Sequence, residues 1–250
     1  MEIIGPLLIS TIAGLSTVLG SLVIFLKFKK NNINKFISFC LSFSLAIMIG
    51  ISITDLIPES TYIIITNYKI AKGIFFCFIT FFIGMFLIIW INKRISRVEW
   101  GETDLYKLGI LNMIALMLHN LPEGIATFMS SYKDINLGFK LGFAIMMHNI
   151  PEGISIAVPI YYSTKNKKQA IKKTLISGLA EPLGAILAFI FFHKFITYKL
   201  ISFILIFVAG IMITLSINEL FPKALKYKEN RYILLGLITG ILIIIINLLL

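Results

Sequence analysis

Histidine and cysteine are scarce in this chain, with three of the first and two of the second among 250 residues. Cys40 and Cys77 lie far apart and form no Cys-x-x-Cys pair. That excludes a thiolate metal cage, gives no sign of a disulfide framework, and reads as two buried free thiols. No Walker A loop is present, so ATP is not the direct source of energy, and no His-Glu-x-x-His helix marks a zinc peptidase. Charged residues make up only 14% of the chain, and the 12 acids are outnumbered by 23 Lys and Arg. There is no polar stretch long enough for a soluble domain, no low-complexity tail and no long linker. A formal charge of +11 would suit a nucleic-acid partner. The lysines, however, fall between apolar runs, where they act as topology determinants, and no nucleic-acid partner is expected.

What remains is apolar. Hydrophobic residues make up 58% of the chain and the mean hydropathy is +0.94, which defines an all-α polytopic membrane protein rather than a soluble core. Eight spans are predicted near 5–26, 36–58, 73–91, 108–130, 137–161, 174–192, 200–218 and 232–249, in a single transmembrane domain over 1–250. Met1 to Pro6 carries no basic stretch, so the first run is expected to be a retained span rather than a cleaved signal. Lys27, Lys29, Lys30, Lys35, Lys93, Arg94, Arg97, Lys107, Lys165, Lys167, Lys168, Lys172, Lys173, Lys223, Lys226, Lys228 and Arg231 occupy the odd-numbered loops. Only Lys69, Lys72, Lys133, Lys140, Lys194 and Lys199 occupy the even-numbered ones. This bias puts the odd loops in the cytoplasm and both termini on the extracytoplasmic side. Trp90 and Trp100 fit a cytoplasmic aromatic belt.

Two copies of one hexapeptide interrupt the apolar runs: His119-Asn120-Leu121-Pro122-Glu123-Gly124 and His148-Asn149-Ile150-Pro151-Glu152-Gly153. One acid at the centre of a membrane helix costs about 2.5–3.5 kcal/mol on the insertion scale. A single such set could be a kinked helix whose polar groups satisfy one another. The same set twice argues for one site built from two facing helices. Residues four apart share a helix face, so His119 and Glu123 point the same way with Asn120 beside them, and His148, Glu152 and Asn149 repeat the arrangement. Imidazole, amide and carboxylate without thiolate suit borderline divalent cations such as Zn²⁺, Fe²⁺ and Mn²⁺. Pro122 and Pro151 each lack an N–H and free the carbonyl four residues back, and Gly124 and Gly153 permit close backbone approach. The two spans are joined by a short loop, so they should pack as antiparallel neighbours and bring the motifs together near the midplane.

Glu181, in Ala180-Glu181-Pro182-Leu183-Gly184, is the other acid far from any loop, and is expected to face the same cavity. Without cations, three carboxylates there would repel one another and take up protons, so metal binding should displace protons. The second span ends Ser52-Ile53-Thr54-Asp55-Leu56-Ile57-Pro58 and the seventh ends Ser216-Ile217-Asn218-Glu219-Leu220-Phe221-Pro222. Similar segments of opposite topology are what an inverted repeat predicts, although two helices that merely stop at proline would share the pattern. Asp55 and Glu59 are candidates for an external collecting point and Glu219 for a cytoplasmic exit, against interfacial helix-end charges. Met48 is read as core filler rather than a thioether ligand, and His193 as an interfacial residue.

On the paired His-Asn-x-Pro-Glu-Gly motif and eight spans with both termini outside, the chain resembles the ZIP (Zrt-, Irt-like protein) family of divalent metal transporters, in its bacterial ZupT-like branch. The resemblance covers essentially the whole chain. It implies movement of zinc, and often iron, manganese, cobalt or cadmium, into the cytoplasm across the cell (inner) membrane, with the metal as cargo and no separate cofactor. It also implies a binuclear site between the motif helices. One metal would use His119, Glu123, His148 and Glu152, and the second Asn120, Glu123, Asn149, Glu152 and Glu181. The first, fourth, fifth and sixth spans would move against the others. Residues 92–107 contain no histidine, unlike the His-rich loop of many eukaryotic relatives. A homodimer is left open, as is a metal exporter or metal/proton antiporter using the same site. An intramembrane metalloenzyme would need a catalytic base that the motif does not offer.

Overall fold

The computed structural model describes residues 3–27, 32–95, 104–192 and 197–249. Lys29, Lys30, Arg97, Trp100, His193 and Lys194 lie outside the described residues, as do the side chains of Lys133 and His148. Among the described residues every regular element is helical. The elements are α1 (Ile4–Ser21), α2 (Ile33–Ile51), α3 (Ile57–Asn67), α4 (Ile70–Ile95), α5 (Asp104–Lys133), α6 (Ile135–Thr164), α7 (Lys167–Gly178), α8 (Ala180–Leu187), α9 (Tyr198–Leu215), α10 (Phe221–Lys226) and α11 (Asn230–Leu249). Several run on into one another to give eight rods. Seven are long and apolar enough to cross a bilayer, and the eighth is the apolar α11. Large apolar side chains such as Phe78, Phe82 and Phe86 on α4 and Leu234, Ile238 and Ile241 on α11 lie exposed, as a lipid-facing surface requires. Arg94 sits over the Trp90 ring at 5.2 Å, and both cysteines are buried and free.

The prolines of the second and seventh spans do not end those helices. Ser52–Leu56 and Ser216–Leu220 each form a π-helical turn, after which α3 and α10 continue with Pro58 and Pro222 in their first turns. A proline cannot donate to the carbonyl four residues back and its ring collides with it. Widening the preceding turn removes the collision and lets the chain stay helical. The likeness of the two segments extends one turn further back, to Met48 and Met212, both fully buried core side chains. The Ser52 hydroxyl lies 3.7 Å from the Met212 sulfur, which joins the two segments where they cross.

The rods sort into two bodies. One contains α1, α5, α6 and α7–α8. Its most extensive packing is α1 on α6, α5 on α6 and α5 on α8. The other contains α2–α3, α4, α9–α10 and α11, packed mainly as α2 on α11 and α4 on α9. The seam between them is made chiefly by α2 against α6 and α5 against α9. The Ser44 hydroxyl donates across it to the Pro151 carbonyl at 2.7 Å, and an exposed Lys226–Asp104 ion pair spans it near one end. Backbone runs on backbone within each body. A Cβ added to any described glycine would have its nearest neighbours in the glycine's own body, and none in the other.

Candidate functional site

α5 carries His119, Asn120 and Glu123, α6 carries the backbone of His148 with Asn149 and Glu152, and the first turn of α8 carries Glu181. Both motif helices run unbroken through their prolines. The described polar side chains of the set are each 0–1% exposed. Two glycines set how closely the helices meet. At Gly124 a Cβ would stand 1.8 Å from the Glu181 carbonyl oxygen, and at Gly153 1.8 Å from that of Thr17. Only glycine allows these crossings, so α8 and α1 lie directly against the motif turns.

Nε2 of His119 is 3.2 Å from Oε1 of Glu123, one turn along the same helix, and 3.2 Å from Oε1 of Glu152 on α6. The two motifs therefore meet. A cation bound tetrahedrally at about 2.0–2.2 Å separates neighbouring ligand atoms by about 3.3–3.6 Å, so both distances from His119 Nε2 are close to the spacing of two ligands on one ion. Among the described residues no group of three His, Cys, Asp or Glu side chains closes around a point as a finished metal cage. The side chain of His148 is outside that set.

The two amides show how the protein aims its acceptors. Asn149 donates Nδ2–H to the Ala13 carbonyl at 2.8 Å and to Oε2 of Glu181 at 2.9 Å. Asn120 donates to the Ser177 carbonyl at 3.3 Å. These partners only accept, so each amide nitrogen is turned toward them and each Oδ1 away from them. Among the described residues, Oδ1 of Asn120 and of Asn149, Oε2 of Glu152 and Oε1 of Glu181 are buried with no hydrogen-bond donor. A buried acceptor left unsatisfied costs about 1–3 kcal/mol, and more when it is charged. Four in one place, beside three carboxylates and an imidazole, form a pocket of lone pairs that a cation or protons would satisfy.

Glu123 also lines a cavity of about 720 Å³ that opens along the seam between the two bodies. Its walls carry Thr54, Asp55, Glu59 and Ser60 from one body and Glu123, Ser130 and Lys140 from the other. Asp55 and Glu59 thus share a cavity with Glu123 of the first motif. Glu219 instead accepts a hydrogen bond from Asn92 near the end of α4. Met48 packs in the main core, as expected of filler. Sequence reasoning did not find Asn112, fully buried two turns before Asn120, whose Nδ2 donates to the Ser155 carbonyl at 2.8 Å and ties α5 to α6. An amide in an apolar run was its only signal. The carbonyls of Ala13 and Ser177 that orient the amides had none.

An all-helical membrane protein made of two packed bodies, with ionisable groups buried at mid-rod and a cavity reaching them along the seam, has the architecture of a secondary transporter. Comparison with known proteins gives the particular group. The family described as ZIP zinc transporter matches residues 101–248. The chain is 38% identical to the zinc transporter ZupT of Oceanobacillus iheyensis, across 97% of this chain and 96% of that one. It is 37% identical to the ZupT proteins of Lysinibacillus sphaericus, across 95% and 94% of the two chains, and of Streptococcus mutans, across 97% and 96%. The chain belongs to the ZIP family, a family of transporters rather than enzymes.

Proposed function

We propose that this chain imports zinc across the cytoplasmic membrane through a site formed by His119, Asn120, Glu123, His148, Asn149, Glu152 and Glu181. The observation that carries the reading is the cluster of buried acceptors without a donor among the described residues, gathered where the two motifs meet. Cation binding would satisfy those lone pairs, and protonation would compete with it. Glu123 and Glu152 are the bridging ligands of a two-metal site, with Glu181 and the two amides completing its oxygen-rich half. Iron, manganese, cobalt and cadmium are accepted as well, since mixed nitrogen and oxygen ligands bind them all. Both termini face outward, so the Asp55 end of the seam cavity is the external mouth. The relatives' names support zinc as cargo, and the lysine-rich odd loops support the orientation. A dication crossing 100 mV in the favourable direction gains about 4.6 kcal/mol, so the membrane potential suffices to drive import.

The test is radiolabelled zinc influx into proteoliposomes at fixed potential, comparing the wild type with Glu152→Ala and checking that both are folded. Saturable influx in the wild type that falls at least about a hundredfold in the variant is expected, because a ligand common to both metals is lost. The apparent affinity should weaken as the pH is lowered from about 7.5 to 5.5, because the ligands must be deprotonated to bind. A folded Glu152→Ala protein that transports normally would remove the two-helix site from consideration. Transport only under the reversed gradient would make the chain an exporter.

A further inference from the structure

Lys140 is one of the even-loop lysines that a topology count treats as a solvated charge. In the structure it is an exposed residue of α6 that also lines the seam cavity bordered by Glu123. Asp55, Glu59 and Glu123 are the acids of that lining, Lys140 its cation, and Tyr198 its other titratable side chain. The placement is opposed. Lys140 belongs to the body that holds the motif helices, while Asp55 and Glu59 belong to the other body. A fixed positive charge in the route of a divalent cation works against that cation. The charge lining a cleft sets the local concentration of the ions within it.

We propose that Lys140 is a tethered competitor for the acids of the vestibule, and that its charge sets the apparent affinity for the dication. With Lys140 present, the three acids are partly balanced when no dication is there. An arriving dication must displace the ammonium or bind against its repulsion. The proposal rests on the cavity being the path by which the cargo reaches Glu123. It adds a residue that never touches the bound metal and acts on how readily a dication arrives.

One charge at cleft distances in partly screened surroundings changes the local concentration of a dication by about threefold to tenfold. Lys140→Gln should therefore lower KM for zinc by that factor at low ionic strength and leave the maximal rate unchanged. Lys140→Arg should match the wild type. At about 0.5 M salt, where the Debye length shrinks to a few ångströms, wild type and Lys140→Gln should converge. A lysine that serves only packing would shift neither KM alone nor the salt dependence.

A second measurement needs no transport. In a protein with Cys40 and Cys77 replaced by alanine, Ser130→Cys puts a thiol on the cavity wall. Its reaction rates with a cationic and an anionic methanethiosulfonate are compared with and without Lys140→Gln. The two reagents differ by two charges, so the ratio of their rates reads the factor that zinc would feel. That ratio should rise about threefold to tenfold in the Gln variant and return to the wild-type value in high salt. An unchanged ratio, or an equal change in Lys140→Arg, overturns the proposal. If the ratio shifts as expected while folded wild type moves no zinc, the electrostatic role stands and the assigned cargo or direction is wrong. If zinc moves and Glu152→Ala abolishes it while the Lys140 variants leave KM and the labelling ratio alone, the transport reading stands and this one fails.

Discussion

The π-helical turns Ser52–Leu56 and Ser216–Leu220 are built on the same pattern and sit in different surroundings. Each opens with a buried serine, carries an acid at its fourth residue and is followed by a proline in the first turn of the next helix. The first borders the seam cavity, with Thr54 and Asp55 in the wall. The second holds its acid, Glu219, against Asn92. The same local pattern goes with the same backbone in both places, while the neighbours decide whether the acid faces a cavity or is clasped. The two segments share one backbone plan and differ in what surrounds it.

The contrast can be broken most severely by filling the open side. Thr54 and Asn218 occupy the same position in the two turns, but only Thr54 lines the described cavity. Thr54→Trp should cut initial zinc uptake by about tenfold or more, because passage depends on the width of the path. Asn218→Trp, on an exposed position, should change it less than about twofold. Equal losses in the paired flux assay would erase the distinction between the two ends.

A smaller effect is expected from loosening the clasp. Asn92→Ala removes the donor to Glu219, a hydrogen bond to a charged group in partly buried surroundings, which we put at about 1–2 kcal/mol. That corresponds to a five- to thirtyfold rise in the open population at this end, by about the usual conversion of energy to ratio. Amide hydrogen exchange over 216–226 should accelerate by that factor while 52–67 keeps its rate. Acceleration of both segments would show that the bond supports the whole fold rather than one end.

The smallest effect should come from the prolines themselves. Because each π-turn already accommodates its proline, Pro58→Ala and Pro222→Ala should alter stability by less than about 1 kcal/mol, measured by melting in detergent. Loss of helical protection in 57–67 on removing Pro58 would mean that the proline organises the turn rather than being tolerated by it.

Much of this was legible in the residues. The doubled hexapeptide predicted that its two triads would meet, as His119, Glu123 and Glu152 do, and the Glu-Pro-Gly pattern predicted that Glu181 would join them, as its contact with Asn149 shows. Those readings work because helical spacing is fixed and a costly buried acid demands company. The continuation past Pro58 and Pro222 was not legible, since a proline preceded by an apolar run is ordinarily a stop, and the π-turn that rescues it depends on tertiary packing. Lys140 looked like a loop charge because a charge count is blind to which wall of which cavity a side chain occupies. The carbonyls of Ala13 and Ser177 were invisible for a similar reason: a backbone oxygen has no residue letter, and long-range packing alone brings it to an amide.

The distribution of the glycines has a consequence for how such a chain can change over generations. Inside each body, helices rest backbone to backbone, and at Gly124 or Gly153 even one methyl group has no room. Between the bodies, no described glycine is spent on holding the two together. Inheritance is thus constrained unevenly. The interior of each half is close to frozen, while the surface along which the halves meet can exchange one apolar side chain for another and stay serviceable. A lineage that must adjust how quickly or how readily the halves part has its raw material there, without risking the folding of either.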